Sequence, residues 1–95
     1  MLKPIIGIIG AGTLGTTLGR LFVSAGYSVL ISGSGSADKI RLIIDVLVPG
    51  AKALTNQEVS EQADIIILAL PISKYQELDT DLLEDKLVID AMNYW

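Results

Sequence analysis

At 95 residues the chain holds one small domain and is too short to divide into two. Hydrophobic residues make up 51% of it and charged residues 19%, a balance that excludes a disordered segment and fits a sheet buried on both faces. Seven Lys and Arg against 11 Asp and Glu leave a net charge of −4, which removes the basic field that counterion release from nucleic acid requires.

A bound anion is still allowed, because backbone N–H groups and a helix N-terminus attract negative charge without entering the formal count. There is no cysteine and no histidine, so disulfides, thiolate nucleophiles, imidazole bases and the usual zinc ligands are all ruled out together. Any chemistry must come from a cofactor or from carboxylates, hydroxyls and Lys. The start Met1-Leu2-Lys3 and the run up to Gly19 have the look of a signal segment, and Gly15 to Gly19 makes a GxxxG. Arg20 ends that run short of the roughly 20 residues a membrane span needs, so the chain is expected to be cytoplasmic, with no membrane partner.

In chain order, Ile5 to Ile9 is a β-branched run leading straight into glycines, the pattern of a buried parallel strand ending in a tight turn. From Leu14 a helix is predicted, with Leu14, Leu18, Leu21, Phe22 and Ala25 as its apolar stripe and Gly26 as its stop. Ser28 to Ile31 reads as a second strand, followed by the turn Ser32-Gly33-Ser34-Gly35-Ser36. A second helix places Ile40, Ile43, Ile44 and Leu47 inward and Lys39, Arg41 and Asp45 outward, until Pro49-Gly50. Ala51 to Leu54 is a weak third strand, and Thr55-Asn56-Gln57-Glu58 carries a capping-box signature. Ile65 to Leu70, bounded by Asp64 and Pro71, is a central strand, and Leu87 to Asp90 the last one, after a polar stretch from Ser73 to Lys86. Alternating strands and helices with right-handed crossovers predict an α/β fold. The glycine turn after the first strand points to the Rossmann-type, doubly wound parallel sheet of about five strands in a three-layer α/β/α arrangement, expected as one domain over residues 1–95.

The chemistry sits in Gly10-Ala11-Gly12-Thr13-Leu14-Gly15. A GxGxxG alone says little, but here it follows a strand and opens a helix. Gly10 permits the tight turn, Gly12 keeps a Cβ away from the pyrophosphate of a dinucleotide, and Gly15 lets the helix close on the sheet. The N–H groups around Thr13 and Leu14 then face the phosphates. NAD-preferring domains place Asp or Glu about 20 residues further on, at the end of the second strand. Here Ser32 stands in that place. With no carboxylate to repel a ribose phosphate, and with Ser32, Ser34, Ser36 and Lys39 nearby to receive it, the cofactor is expected to be NADP rather than NAD. The acidic residues Asp79, Asp81, Glu84 and Asp85 fit no calcium loop and read as a solvated helix face, so no metal is assigned.

Three blocks together resemble the N-terminal domain of the NADP-dependent coenzyme F420 reductase family. They are Ile6-Gly7-Ile8-Ile9-Gly10-Ala11-Gly12-Thr13-Leu14-Gly15, Ala63 through Pro71, and Val88-Ile89-Asp90-Ala91-Met92-Asn93. The likeness spans nearly the whole chain. The first block is shared with prephenate dehydrogenases and pyrroline carboxylate reductases, whereas Asp-Ala-Met-Asn is more distinctive. The resemblance implies that Leu70 and Pro71 line the cofactor beside its ribose and pyrophosphate, and that Ala91 to Asn93 lie near the nicotinamide. The family often carries Arg in the turn after the second strand, where this chain has Gly35.

The function expected is to orient NADPH for hydride transfer to a deazaflavin, a flavin or a small molecule, with the catalytic residues unassigned. The alternatives are a prephenate-dehydrogenase-like or pyrroline-carboxylate-reductase-like domain, and a dinucleotide sensor without turnover. Family members continue past Asn93. The chain is therefore expected to be part of a longer enzyme that binds without turning over by itself, with either further chain or a second copy packing near Tyr94 and Trp95.

Overall fold

The computed structural model describes residues 3–33, 37–69 and 86–90. Eight elements follow one another there: β1 (Ile5–Ile9), α1 (Thr13–Ser24), β2 (Ser28–Ser32), α2 (Ala37–Leu47), β3 (Lys52–Ala53), α3 (Asn56–Gln62), β4 (Ile65–Leu68) and β5 (Leu87–Asp90). The strands form one sheet in the order β3-β2-β1-β4-β5, and every pairing is parallel. The sheet grows outward on one side of β1 and then returns to the other, so β1 and β4 flank the point where the winding reverses. In such sheets the crevice that receives ligands opens at the C-terminal ends of those two strands.

The central strands β1, β2 and β4 are apolar on both faces because both are covered. Ile6, Ile8, Val29, Ile31 and Ile67 share one cluster with Ile40, Ile44 and Val48, and Leu14, Leu18 and Phe22 pack against it. Ile9, Leu30, Ile66 and Leu68 join Val59 and Ala63 on the opposite side. The helices α1 and α2 therefore form one outer layer and α3 the other, the three-layer arrangement expected. Gly7 belongs to the α3 side, where a Cβ would come within 2.6 Å of both Ala63 Cβ and Val59 Cγ1. Its bare backbone sets the spacing between α3 and the central strand.

Two helix faces differ from expectation. Leu21 is exposed, as is Ala25, and the residues of α1 that are buried are Gly15, Thr16 and Gly19. The helix lies so close to the sheet that its contact line consists of small residues; a Cβ at Gly19 would stand 2.9 Å from Ile31 Cδ1. In α2 the inward residues are Ile40 and Ile44, continued by Val48, while Ile43 and Leu47 face out. Inward positions recur every four residues, and Ile43 and Leu47 lie one residue off that line.

Strand ends also shift slightly. The second strand runs on to Ser32, and the third is confined to Lys52–Ala53, although the Leu54 N–H still donates to the Ile31 carbonyl at 2.9 Å. The fourth ends at Leu68, with the Ala69 N–H donating to the Ile9 carbonyl beyond it.

The helix ends follow the sequence. Gly26 at φ +90 terminates α1 in a Schellman motif: its N–H donates to the Val23 carbonyl and that of Tyr27 to the Phe22 carbonyl. At α3 the Glu58 N–H donates to Thr55 Oγ1 at 3.2 Å, and the Thr55 N–H to Glu58 Oε1 at 3.1 Å. A seven-residue helix has little propensity of its own to rely on. Thr55→Ala should therefore cost about 1 kcal/mol and lower the melting temperature by roughly 4–8 °C. A thermal melt superimposable on wild type would show that this cap contributes nothing.

Candidate functional site

The site begins where β1 stops. Gly10 takes φ +124, a left-handed conformation that side-chain-bearing residues rarely adopt. Its N–H donates to the Ser32 carbonyl at 2.7 Å, fastening the end of β1 to the end of β2. Gly12 is the N-cap of α1, with φ −79 and ψ −164, and its carbonyl accepts the first helical bond from the Thr16 N–H at 2.9 Å. The buried Thr16 adds its hydroxyl, which donates toward the carbonyls of Gly12 at 3.0 Å and Thr13 at 3.2 Å.

Helix geometry then leaves the N–H groups of Thr13, Leu14 and Gly15 without an intrahelical acceptor. Among the described residues no side chain caps this end, and the first turn carries no acid, so no described group cancels its partial positive charge. Gly12 and Thr13 are exposed.

The two outer glycines of the helix start have opposite surroundings. A Cβ at Gly12 would meet nothing within 4 Å among the described residues, whereas one at Gly15 would fall 1.8 Å from the Gly10 carbonyl oxygen and 2.9 Å from its carbon. Gly15 thus closes the turn onto the helix, and Gly12 faces open space at the mouth of the crevice. That space, lined by free N–H groups beside the winding reversal, suits a diphosphate.

The ribose end departs from the sequence reading. Ser32 is fully buried and its hydroxyl has no hydrogen-bond partner among the described residues, so it does not present a hydroxyl on the open surface. The strand alternation turns it toward the α3 side, and its carbonyl is engaged by Gly10. The next residue, Gly33, is packed against the glycine turn. A Cβ there would approach Ile40 Cγ2 to 3.0 Å and Ala11 Cβ to 3.1 Å. Nothing in the sequence pattern announced this contact, because it joins the turn after β1, the residue after β2 and the first turn of α2.

Lys39 lies in the first turn of α2. Ser34, Leu70, Pro71, Ala91 and Asn93 lie outside the described residues, as do the acidic positions from Glu77 to Asp85 and the aromatics Tyr94 and Trp95. Among the described residues there is no group of three acidic, Cys or His side chains placed to hold a metal. No described helix is long and apolar enough to cross a membrane.

Comparison with known proteins agrees with this fold. The family of coenzyme F420-dependent NADP oxidoreductases matches residues 5–94. A 2-dehydropantoate 2-reductase of Mycobacterium tuberculosis (strain ATCC 25618 / H37Rv) is 36% identical over 69 residues, covering 68% of this chain and 23% of that protein. Among solved structures, the imine reductase of Myxococcus stipitatus in complex with NADP+ superimposes with a TM-score of 0.72 at 26% identity, over 92% of this chain and 31% of the other. Its V8 variant in complex with NAD+ gives 0.69 at 25% identity, over 94% of this chain and 32% of that one. The chain thus spans about a quarter to a third of the length of these relatives.

Proposed function

Since the chain belongs to the coenzyme F420-dependent NADP oxidoreductase family, a family of NAD(P)-binding Rossmann domains, we propose that it binds NADP(H) and orients the nicotinamide for hydride transfer to a deazaflavin, flavin or small-molecule acceptor. The observation that carries this reading is the uncapped start of α1 beside the open space at Gly12. Gly10 makes the turn and Gly12, Thr13, Leu14 and Gly15 hold the pyrophosphate on backbone N–H groups; Ser34 and Lys39 receive the ribose phosphate; Leu70 and Pro71 flank the ribose; Ala91 and Asn93 lie beside the nicotinamide. The dinucleotide supplies the hydride chemistry, and the chain's own residues bind and align it.

NADP is preferred because the end of β2 has no room for the acid that would favour NAD. Ser32 is sealed in the core and Gly33 is hemmed in by Ala11 and Ile40. For the same reason Ser32→Asp, which on sequence grounds should shift preference toward NAD, would bury a carboxylate without a partner and is expected to disturb the fold first. The preference is better tested on the wild type. Parallel calorimetric titrations should show NADPH binding at least about tenfold tighter than NADH, roughly 1.4 kcal/mol. Equal or tighter binding of NADH would remove the NADP assignment while leaving the glycine-turn site in place.

A further inference from the structure

To hold an anion well, the start of α1 has to be rigid as well as open, and glycine alone does not make it so. Gly12, the N-cap residue, has no side chain to bond back to the helix, and among the described residues no other side chain caps this end. Glycine also has the most backbone freedom to lose. Thr16 supplies a restraint from inside the helix. It is buried against the sheet together with Gly15 and Gly19, and its hydroxyl lies 3.0 Å from the Gly12 carbonyl oxygen and 3.2 Å from that of Thr13, so one proton is shared between two acceptors. The Gly12 carbonyl also accepts the Thr16 N–H at 2.9 Å, which gives one residue two holds on it.

A held carbonyl fixes an amide. No described peptide bond is cis, and in a planar trans peptide the C=O and the following N–H point in opposite directions. Drawing the Gly12 carbonyl toward Thr16 therefore aims the Thr13 N–H outward, past the start of the helix, and drawing the Thr13 carbonyl aims the Leu14 N–H the same way. These are two of the amides that helix geometry leaves without an acceptor. The comparable bond in α3 does something else. There Ser60 Oγ donates to the Gln57 carbonyl at 2.8 Å, behind the Glu58 N–H that Thr55 Oγ1 already caps. Among the described residues, only at α1 does a buried hydroxyl stand behind amides with no internal partner.

We infer that Thr16 is a positioning residue for the diphosphate: its hydroxyl clamps the carbonyls of Gly12 and Thr13 and so pre-orders the Thr13 and Leu14 N–H groups that receive the phosphate oxygens. This rests on the dinucleotide reading and adds to it a side chain that never touches the ligand. Donors ordered in advance bind more tightly, because less conformational freedom is lost when the anion arrives. The clamp is separable from the fold. Without the hydroxyl the Gly12 carbonyl keeps the Thr16 N–H and the Thr13 carbonyl keeps its helical amide, so no buried acceptor is left empty.

Three variants test it. Thr16→Val keeps the branched shape and removes the hydroxyl, Thr16→Ala removes it with better helix propensity, and Thr16→Ser keeps it. In the ligand-free chain, backbone amide relaxation should give order parameters near about 0.85 for the Thr13 and Leu14 N–H groups in wild type and Thr16→Ser, falling toward about 0.6 in the other two. Calorimetry should show affinity for NADPH, and for inorganic pyrophosphate as the bare probe, reduced roughly fivefold in Thr16→Val and Thr16→Ala and unchanged in Thr16→Ser. Thr16→Val should melt within about 4 °C of wild type. Unchanged order or unchanged affinity in the folded Val and Ala variants would overturn the inference and leave the dinucleotide reading standing. A Thr16→Ser chain that loses as much as Thr16→Val would overturn it too, since packing rather than the hydroxyl would then be responsible. A wild type that binds neither NADPH nor pyrophosphate would remove the dinucleotide reading itself, and the role of Thr16 with it.

Discussion

A Gly15→Ala variant should lose roughly 3 kcal/mol of stability, lowering the melting temperature by about 15 °C for a domain of this size. The sign is the informative part. Replacing glycine by alanine inside a helix ordinarily stabilises it by about 0.5–1 kcal/mol, through reduced chain entropy and better propensity. Here the added methyl would sit 1.8 Å from the Gly10 carbonyl oxygen. That oxygen belongs to backbone held on its other side by the Gly10 N–H bond to the Ser32 carbonyl. The clash can be relieved only by moving α1 off the sheet or by undoing the turn, and either change opens the contact line of Gly15, Thr16 and Gly19. Chemical denaturation of the two proteins side by side measures the difference. Equal or greater stability in the variant would mean that the helix does not approach β1 this closely.

Gly12→Val is the complementary case, with affinity lost and fold kept. Gly12 has φ −79, which a branched residue adopts without left-handed strain, and a Cβ would find no atom of the described residues within 4 Å. The fold should lose no more than about 1 kcal/mol, the difference between Gly and an apolar residue at an N-cap. Yet the isopropyl group would occupy the space between the free N–H groups of Thr13, Leu14 and Gly15 and the proposed pyrophosphate, lengthening several charge-assisted hydrogen bonds at once. Affinity for NADPH should fall at least about 100-fold, some 2.7 kcal/mol. Calorimetry on a variant with a wild-type melt checks this, and unchanged affinity would move the phosphates to another part of the molecule. The two glycines are separated by only two residues, so opposite signatures would locate the ligand side and the packing side of the same turn.

Much of this was legible in the chain itself. Strands buried on both faces are continuous apolar runs, which is why β1 appears with its bounds intact in Ile5–Ile9; the edge strand β5 keeps its bounds Leu87–Asp90 as well, although Leu87 and Ile89 are exposed. Local chemistry marked the helix ends: Thr55 with Glu58 at α3, and Gly26 after α1. The glycine turn was readable because each of its glycines answers to a backbone requirement rather than to hydrophobicity.

The inward face of α1 was not readable by the same means. Apolar periodicity gives weight to Leu21, but the helix meets the sheet through Gly15 and Gly19, which hydropathy treats as neutral. The Gly15 and Gly19 spacing is the signal that could have identified the face, read as close packing on a sheet instead of a membrane motif. The surplus of apolar residues in α2 hid which of them point inward, and the answer lies in the four-residue steps from Ile40 to Ile44 to Val48. At the ribose end, the position of Ser32 was legible but its burial was not, because burial depends on the covering layer, including α3, that forms around β2.

The central claim is that the uncapped start of α1 holds the dinucleotide diphosphate. Titrating NADPH into the isotopically labelled wild-type chain and following the backbone amide resonances tests it most directly, because the proposed contacts are those amides themselves. The account predicts a single saturable site, with the largest shifts at the N–H groups of Gly12, Thr13, Leu14 and Gly15. A folded chain that shows no saturable shifts, or whose saturating shifts cluster away from this turn, would contradict it.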